Sequence, residues 1–214
     1  MEVFDAIKGR RCVRKFKKKE IPEEVLYNVL EAARWAPSSG NLQNTRLLII
    51  KDKAKKEFIV KEALGQTFIA DAPVVLIVCS DTDIIKRHYD ERGEKLYAIQ
   101  NTAAAIQNIL LAAYNQGLAG SWIGAFKEVR LRKKFEIPDK IDIHAIIPLG
   151  YPVEHPYAPA RIPLSDILYF KKWGKIKAAK DLFPLSESGP RIAKHAARKA
   201  KKTAKKLKKK IKRK

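Results

Sequence analysis

The sequence predicts an α+β fold in which several helices pack about a modest central sheet. Segments with helical periodicity alternate with short runs of β-branched residues along most of the 214-residue chain. One such run, residues 73–79, is uninterrupted, which is typical of a strand buried on both faces of a sheet. Residues 95–116 are apolar nearly all round and end at Gly117, as expected of a long helix enclosed by other helices, a sheet or a second subunit.

The first half of the chain supplies the other early elements. Residues 22–35 predict a helix, because Pro22 suits a first turn, acidic residues follow it and apolar residues recur on one face. Residues 36–41, Ala-Pro-Ser-Ser-Gly-Asn, predict a loop. A strand is expected over residues 47–50 and a helix over residues 53–64, followed by a loop.

The second half adds three elements before the chain changes character. They are a short β-like stretch at 119–123, a helix at 127–135 and a strand at 143–149. Gly150-Tyr151-Pro152 then breaks the chain and opens a proline-rich passage. We expect residues 1–174 to form one domain.

Most of the net charge of +22 lies at the C-terminal end. Residues 175–214 contain 17 basic and 2 acidic residues, so they carry +15 and form a separate Lys/Ala-rich basic tail. Within residues 191–214 a thin apolar stripe recurs at helical spacing. Three roles are open for this tail: binding nucleic acid, docking on an anionic membrane surface, or serving as a solvated extension.

Several function classes find no support in the sequence. No Ser/His/Asp set is evident, no cluster predicts a metal site, and we expect His144, beside a strand, to be structural. The two cysteines, Cys12 and Cys79, lack metal-ligand spacing. The opening of the chain shows no signal-peptide pattern, so the expected location is cytoplasmic.

Two segments in the first quarter of the chain suggest a ligand site. Arg10, Arg11 and Arg14 place three guanidiniums within five residues, and planar guanidiniums can grip phosphate oxygens with two donors each. Exposed surface arginines are the alternative. Residues 35–43 then concentrate hydroxyls and carboxamides after a helix, which suits either the edge of a heterocycle or a simple helix end.

Two later segments add to this picture. Residues 117–126 contain three glycines, which let backbone approach a flat ligand closely or simply make a tight turn. Their spacing differs from a dinucleotide-binding fingerprint. Arg161 follows the Gly150-Tyr151-Pro152 break and, taken alone, would be an ordinary surface residue.

The content and order of these four segments resemble the FMN-dependent nitroreductase family over about residues 2–173. That family has an Arg-Arg-Ser-x-Arg opening, an Ala-Pro-Ser-Ser-x-Asn-x-Gln segment, a Gly-x-Gly-x-x-Trp-Ile-Gly segment and a Gly-Tyr-Pro…Arg/Lys-x-Pro-Leu ending. The resemblance implies a mainly antiparallel sheet surrounded by helices, with the long helix at the interface of a homodimer that binds FMN. Cys12 here replaces the family's serine, and Asn44-Thr45-Arg46 replaces its common Pro-Trp pair.

The resemblance also implies residue roles. Arg10, Arg11 and Arg161 would hold the FMN phosphate, Arg14 would lie near the pyrimidine side of the ring, and Gly124 could offer a backbone donor near flavin N5. The full set of cofactor-binding residues that it implies is Arg10, Arg11, Cys12, Arg14, Ser38, Asn41, Gln43, Ile123, Gly124 and Arg161. The role of Ser39 stays open. No side chain is assigned to the chemistry itself, because the flavin would carry it.

The implied activity is a ping-pong transfer of hydride from NAD(P)H to an electron-poor small molecule such as a nitroaromatic or a quinone. The polar residues 81–94 would form either a mobile substrate lid or a solvated helix and loop. The alternative function is a non-redox flavin-handling protein, or a basic protein that binds nucleic acid or membranes on the same fold.

Overall fold

The computed structural model describes residues 1–174. The chain divides into two units, Met1–Ala158 and Pro159–Lys214. Within the described residues, the first unit contains the sheet and all of the α-helices. The second contributes a short 3₁₀ turn, Leu164–Ile167, and a stacked aromatic pair, Tyr169 and Trp173, with ring centroids 4.2 Å apart.

A four-stranded antiparallel sheet forms the centre of the first unit. Its strands are β1 (Thr45–Ile50), β2 (Val74–Asp81), β3 (Ala119–Gly120) and β4 (Ile141–Gly150), in the order β1-β2-β4-β3. The central strand β2 is buried from Val74 to Ser80, because side chains pack against both of its faces. The sequence-based prediction of a strand buried on both faces is confirmed here.

Helices cover both faces of the sheet. They are α1 (Val3–Gly9), α2 (Glu23–Arg34), α3 (Lys53–Glu62), α4 (Phe68–Asp71), α5 (Thr82–Arg92), α6 (Ala98–Asn115) and α7 (Glu128–Lys134). The apolar residues of α2 and α6 form one core with alternate residues of β2 and β4. Those of α3, α4 and α7 form the second core on the opposite face. The predicted α+β class with an antiparallel sheet is therefore confirmed, while the place of α6 at a dimer interface stays a prediction.

The polar segment before the long helix is itself helical. Residues 82–92 form α5, whose last turn departs from helical geometry at Tyr89 and Asp90, and a π-helical turn, Gly93–Tyr97, connects it to α6. Asp90 has a φ of 49°, in the left-handed region. The helix expected in one of the two sequence-based alternatives is present, and the role of a substrate lid stays a prediction. The single turn of α4 lies where the sequence indicated only a loop.

Two other expectations concern the C-terminal end of the chain. The amphipathic helix expected over residues 191–214 lies beyond the described residues, and the domain boundary expected at residue 174 coincides with their end. In the described part of the chain, no helix combines the length and apolarity that crossing a bilayer requires.

Candidate functional site

Residues 10–14, here called the arginine segment, run alongside the glycine-rich segment after α6. Cys12 forms an isolated parallel bridge with Gly120, and the Val13 N–H donates to the Gly120 carbonyl at 3.3 Å. The buried Ser121 hydroxyl donates to the Val13 carbonyl at 2.8 Å. Val13 lies in the core while Cys12 and Arg14 are exposed, as expected when neighbours in an extended segment face opposite ways. The fold thus brings together two of the four predicted site segments.

Arg10 is held at the end of α1 with part of its guanidinium unpaired. Its backbone N–H donates to the Ala6 carbonyl at 3.0 Å and closes the last helical turn. Its half-buried side chain has a buried Nε–H without a hydrogen-bond partner among the described residues. A buried donor without an acceptor is costly, so an anion beside Arg10 would supply the missing acceptor.

Arg11 is fixed in a different way. Its Nη1 donates to the carbonyls of Lys8, at 2.6 Å, and of Arg10, at 2.8 Å, so the guanidinium stabilises the C-terminal end of α1. Its Nε is buried and, like that of Arg10, unpartnered within residues 1–174. The side chain also lines a cavity of about 390 Å³ together with Tyr114 and Glu154. Arg11 is therefore partly committed to the helix end.

Arg14 extends toward α4. Its guanidinium carbon lies 5.7 Å from the centroid of the Phe68 ring, in cation–π geometry. Its backbone N–H donates to Oε1 of Glu154 at 3.0 Å, and the same carboxylate lies 3.9 Å from Nζ of Lys15. The three arginines, equivalent by composition, have three different environments.

Residues 36–43, here called the serine loop, follow α2 and contain the second predicted segment. A 3₁₀ turn, Ser39–Asn41, forms its centre, and Gly40, Asn41 and Gln43 have φ of 57°, 56° and 48° in the left-handed region. The Ser38 hydroxyl accepts a hydrogen bond from the Gln43 N–H at 3.0 Å and closes the loop. Asn41 and Gln43 are exposed, so their carboxamides are available to a ligand.

A buried chain of polar side chains ties this loop to the core. Oδ1 of Asn101, on α6, accepts hydrogen bonds from the backbone N–H and the hydroxyl of Ser39, at 3.0 and 3.2 Å. Nδ2 of Asn101 donates to Oδ1 of Asn44 at 2.8 Å, and Nδ2 of Asn44 donates to Oγ of Ser80 at 2.6 Å. We call these four residues the amide chain. Sequence reasoning missed Asn44 and Asn101, although the polar pair at residues 100–101 inside an apolar helix was a signal.

Ile123 and Gly124 differ in what they can offer to a ligand. Ile123 is buried, and both its N–H and its carbonyl are hydrogen-bonded to Ile146, at 3.0 and 2.9 Å. Gly124 is exposed, and a Cβ built on it would meet nothing within 4 Å. The packing of the described residues therefore does not require glycine at 124, and the open space suits a flat ligand.

The predicted site residues fall into separate groups in one chain. The arginine segment and residues 120–124 lie together, whereas the serine loop is attached to α6 and β2. Within residues 1–174, no hydrogen bond or ion pair joins the arginine segment to the serine loop. Arg161 belongs to the second unit and is exposed, and its role stays a prediction.

Comparisons with known proteins agree with this architecture. The model of the nitroreductase family matches residues 7–66 and 55–151. A candidate NADH dehydrogenase/NAD(P)H nitroreductase of Methanothermobacter thermautotrophicus is 34% identical over 179 residues, covering 81% of this chain and 88% of the relative. An NADH dehydrogenase of Thermus thermophilus is 32% identical over 191 residues, covering 76% of this chain and 92% of the relative.

Solved structures share the fold. The NADPH:FMN oxidoreductase from Vibrio harveyi complexed with NAD+ superposes with a TM-score of 0.75 at 22% identity, over 82% of this chain and 79% of that chain. The family match and the similarity to relatives define this protein as an α+β oxidoreductase. The chain belongs to the nitroreductase family, which confirms the resemblance noted in the sequence.

Proposed function

We propose that this protein is an NAD(P)H-dependent FMN oxidoreductase that reduces an electron-poor small molecule, such as a nitroaromatic or a quinone, by a ping-pong cycle. When bound, FMN supplies the hydride-transfer chemistry at its N5, and the protein supplies binding, orientation and charge. The observation that carries the proposal is the pair of buried, unpartnered Nε–H groups of Arg10 and Arg11, in a segment bridged to Gly120. Membership of the family supports FMN as the ligand of these donors.

The residues present fit the cofactor's phosphate. Arg10 and Arg11 offer positively charged donors without acceptors, and charge-assisted hydrogen bonds to phosphate are among the stronger ones in proteins. Arg161 would add a third guanidinium. Cys12, exposed between the two arginines and Arg14, would lie against the cofactor where the family has serine.

The residues also fit the flavin ring and its side chain. Gly124 leaves open space for a planar ring and could donate its backbone N–H near N5, with Ile123 beside it. Arg14 would place positive charge at the pyrimidine edge and so favour the reduced, anionic cofactor. The carboxamides of Asn41 and Gln43, together with Ser38, would meet polar groups of the ring or ribityl chain.

A homodimer would complete the site. Within residues 1–174 the arginine segment is bridged to Gly120 and the serine loop is bonded to α6, with no hydrogen bond or ion pair between them, and a second copy would bring its serine loop to the first copy's arginines. Exposed apolar side chains on α1 support an interface: Val3 is 72% exposed, Phe4 63% and Ile7 48%. Tyr114 of α6 contacts Gly9 at the end of α1, which makes this apolar surface continuous with the long helix.

Flavin titration tests the proposal directly. We expect the purified protein to bind FMN, the bound flavin to lose its visible absorbance on addition of NADH or NADPH, and an acceptor to restore it. Double-reciprocal plots of initial rate against NAD(P)H concentration, measured at several fixed acceptor concentrations, should give parallel lines, which would support the ping-pong order. A protein that binds no FMN would refute the proposal, and tightly bound FMN that ignores both nicotinamides would favour a non-redox flavin-handling role.

A further inference from the structure

We infer that Asn101 is a positioning residue for the cofactor: through Ser39 it sets the conformation of the serine loop that faces the flavin. The inference rests on the proposed function, because that function assigns the loop to FMN. Asn101 itself is 95% buried on α6, and its side-chain hydrogen bonds within the described residues go to Ser39 and Asn44 rather than to Asn41 or Gln43. Its influence would pass through the backbone of the loop.

The contact between Asn101 and the loop is double. One oxygen, Oδ1 of Asn101, accepts both the N–H and the hydroxyl of Ser39, at 3.0 and 3.2 Å. Ser39 is the first residue of the 3₁₀ turn, so these two bonds fix the point where the loop turns. Asn101 accordingly sets the direction in which the loop continues after Ser39.

The rest of the amide chain holds the carboxamide of Asn101 in one orientation. Its Nδ2 donates to Oδ1 of Asn44, whose own Nδ2 donates to Oγ of Ser80. Turning the Asn101 amide over would leave Ser39 facing an NH₂ group and Asn44 facing an oxygen. Asn44 and Ser80 are fully buried, where unmatched polar groups are strongly disfavoured. The hydrogen bonds are therefore donated in one direction, from Ser39 in the loop to Ser80 on β2.

The loop needs such support because its backbone is strained. Asn41 and Gln43 adopt left-handed φ values, which non-glycine residues keep only where the surrounding structure holds them. Inside the loop, the Ser38 hydroxyl accepts from the Gln43 N–H, and Nε2 of Gln43 makes a long hydrogen bond of 3.4 Å to the Asn41 carbonyl. Within the described residues, two external anchors hold the turn: Asn101 accepts from Ser39 at its start, and Nη1 of Arg46 on β1 donates to the Gln43 carbonyl at its end, at 2.8 Å. Of the two anchors, the one at Ser39 is made by a buried side chain, that of Asn101.

Two substitutions at Asn101 and one control separate positioning from general stability. Asn101→Leu removes both the acceptor for Ser39 and the donor to Asn44 at similar volume, whereas Asn101→Asp keeps the acceptor and loses the donor only while its carboxyl is ionised. Asn108→Leu is the control, because Asn108 lies on the same helix, is half-buried and donates its Nδ2 to the Ala32 carbonyl of α2 at 3.1 Å. It has no contact with the serine loop.

Three readouts are measured on the full chain: hydrogen exchange of the residue 39–43 amides without flavin, the Kd for FMN, and the visible spectrum of bound FMN. We expect Asn101→Leu to speed loop exchange at least tenfold, to weaken FMN binding at least tenfold and to shift the flavin absorption bands. Asn101→Asp should give smaller changes at a pH low enough to protonate its carboxyl, since the protonated group both accepts from Ser39 and donates to Asn44 Oδ1. Asn108→Leu should leave loop exchange and the Kd for FMN within twofold of wild type and should leave the flavin absorption bands unshifted.

Specific results would overturn the inference. Loop exchange and FMN affinity within twofold of wild type in both Asn101 variants would do so, as would equal losses in Asn101→Leu and Asn108→Leu. If Asn101→Leu does not fold, Asn101→Asp against the control decides. Wild-type protein that binds no FMN refutes the proposed function instead, and the exchange comparison alone then decides whether Asn101 positions the loop.

Discussion

At the scale of single residues, the local partners of each arginine set its availability for a ligand. Nη1 of Arg11 already donates hydrogen bonds to two backbone carbonyls, and the guanidinium of Arg14 lies over the Phe68 ring. Arg10 makes no side-chain hydrogen bond within the described residues, and its Nε is buried. Arg10 is therefore the residue whose side chain has the most to gain from an anion.

Replacing Arg10 tests this ranking. We expect Arg10→Ala to weaken FMN binding by about 10- to 100-fold, because a hydrogen bond to a charged group contributes roughly 1.5–3 kcal/mol. Lys18→Ala is the control, since Lys18 is an exposed cation of the same N-terminal region. Fluorescence titration of FMN measures both. Equal weakening by the two substitutions would mean that only the net positive charge matters.

The two cysteines differ in exposure. Cys12 is exposed, whereas Cys79 is buried, and burial raises the pKa of the Cys79 thiol to about 12. We expect iodoacetamide at pH 8 to modify Cys12 in the native protein and to leave Cys79 intact, with saturating FMN slowing the reaction at Cys12. Mass spectrometry of peptides locates the adducts, and urea-unfolded protein, in which both thiols react, is the control. Modification of both at similar rates in native protein would contradict this.

At the scale of elements, the sequence predicted the helices and strands whose formation is determined by the residues within them. The apolar run at residues 73–79 predicted β2 because a strand buried on both faces needs such a run. The long helix was predicted at residues 95–116, and the structure begins it at Ala98, because a π-helical turn precedes it. That turn follows the left-handed Asp90 and begins at Gly93, and a single glycine in a polar segment does not distinguish a π-helical turn from an ordinary loop.

The candidate site shows the same division between local and distant information. The arginines, serines and glycines stood out because unusual residue types are concentrated over a few positions. The contacts that arrange them were not predictable, since the hydrogen bond from Ser121 to Val13 and the one from Asn101 to Asn44 join residues far apart in the chain. Such pairs leave no periodic pattern in the sequence.

Half-buried His144 on β4 makes the stability of the fold depend on pH. Its Nδ1 lies 2.7 Å from the Thr102 hydroxyl of α6, and burial lowers its pKa, although Asp142 and Glu128 oppose the shift. The unfolded chain therefore takes up a proton at higher pH than the folded one. The stability that neutral His144 contributes is complete above pH ~6.5, the pKa of an unperturbed histidine, and is lost as the pH falls below it.

We expect the free energy of unfolding to fall between pH 7 and pH 5 in the wild-type protein and to fall less in His144→Gln. Glutamine keeps a polar group for Thr102 but takes up no proton. His88→Gln on the exposed face of α5 is the control and should retain the wild-type slope. Urea denaturation at each pH gives the values. A wild-type slope in His144→Gln would show that other groups dominate.

At the scale of the whole molecule, charge and proposed chemistry are separate. Residues 175–214 carry +15 of the total +22, whereas the proposed cofactor site uses a few arginines of residues 1–174, Arg161 among them. Polyanions would interact first with the tail, because neutralising phosphates releases counterions in proportion to the number of contacts. The reductase chemistry and any polyanion binding should therefore respond to different changes in the chain.

A chain ending at Gly174 separates the two properties. We expect it to lose most of its affinity for duplex DNA at low salt, while its rate of NAD(P)H-dependent acceptor reduction stays within twofold of the full chain. The slope of log affinity against log salt should also shrink, since each neutralised phosphate contributes about 0.9 to it. Anionic liposomes, assayed in parallel by sedimentation, report whether the tail prefers a membrane surface, where each basic residue contributes roughly 1 kcal/mol. If the shortened chain binds DNA and liposomes as tightly as the full chain, the tail is a solvated extension and the moderately basic body carries any polyanion binding.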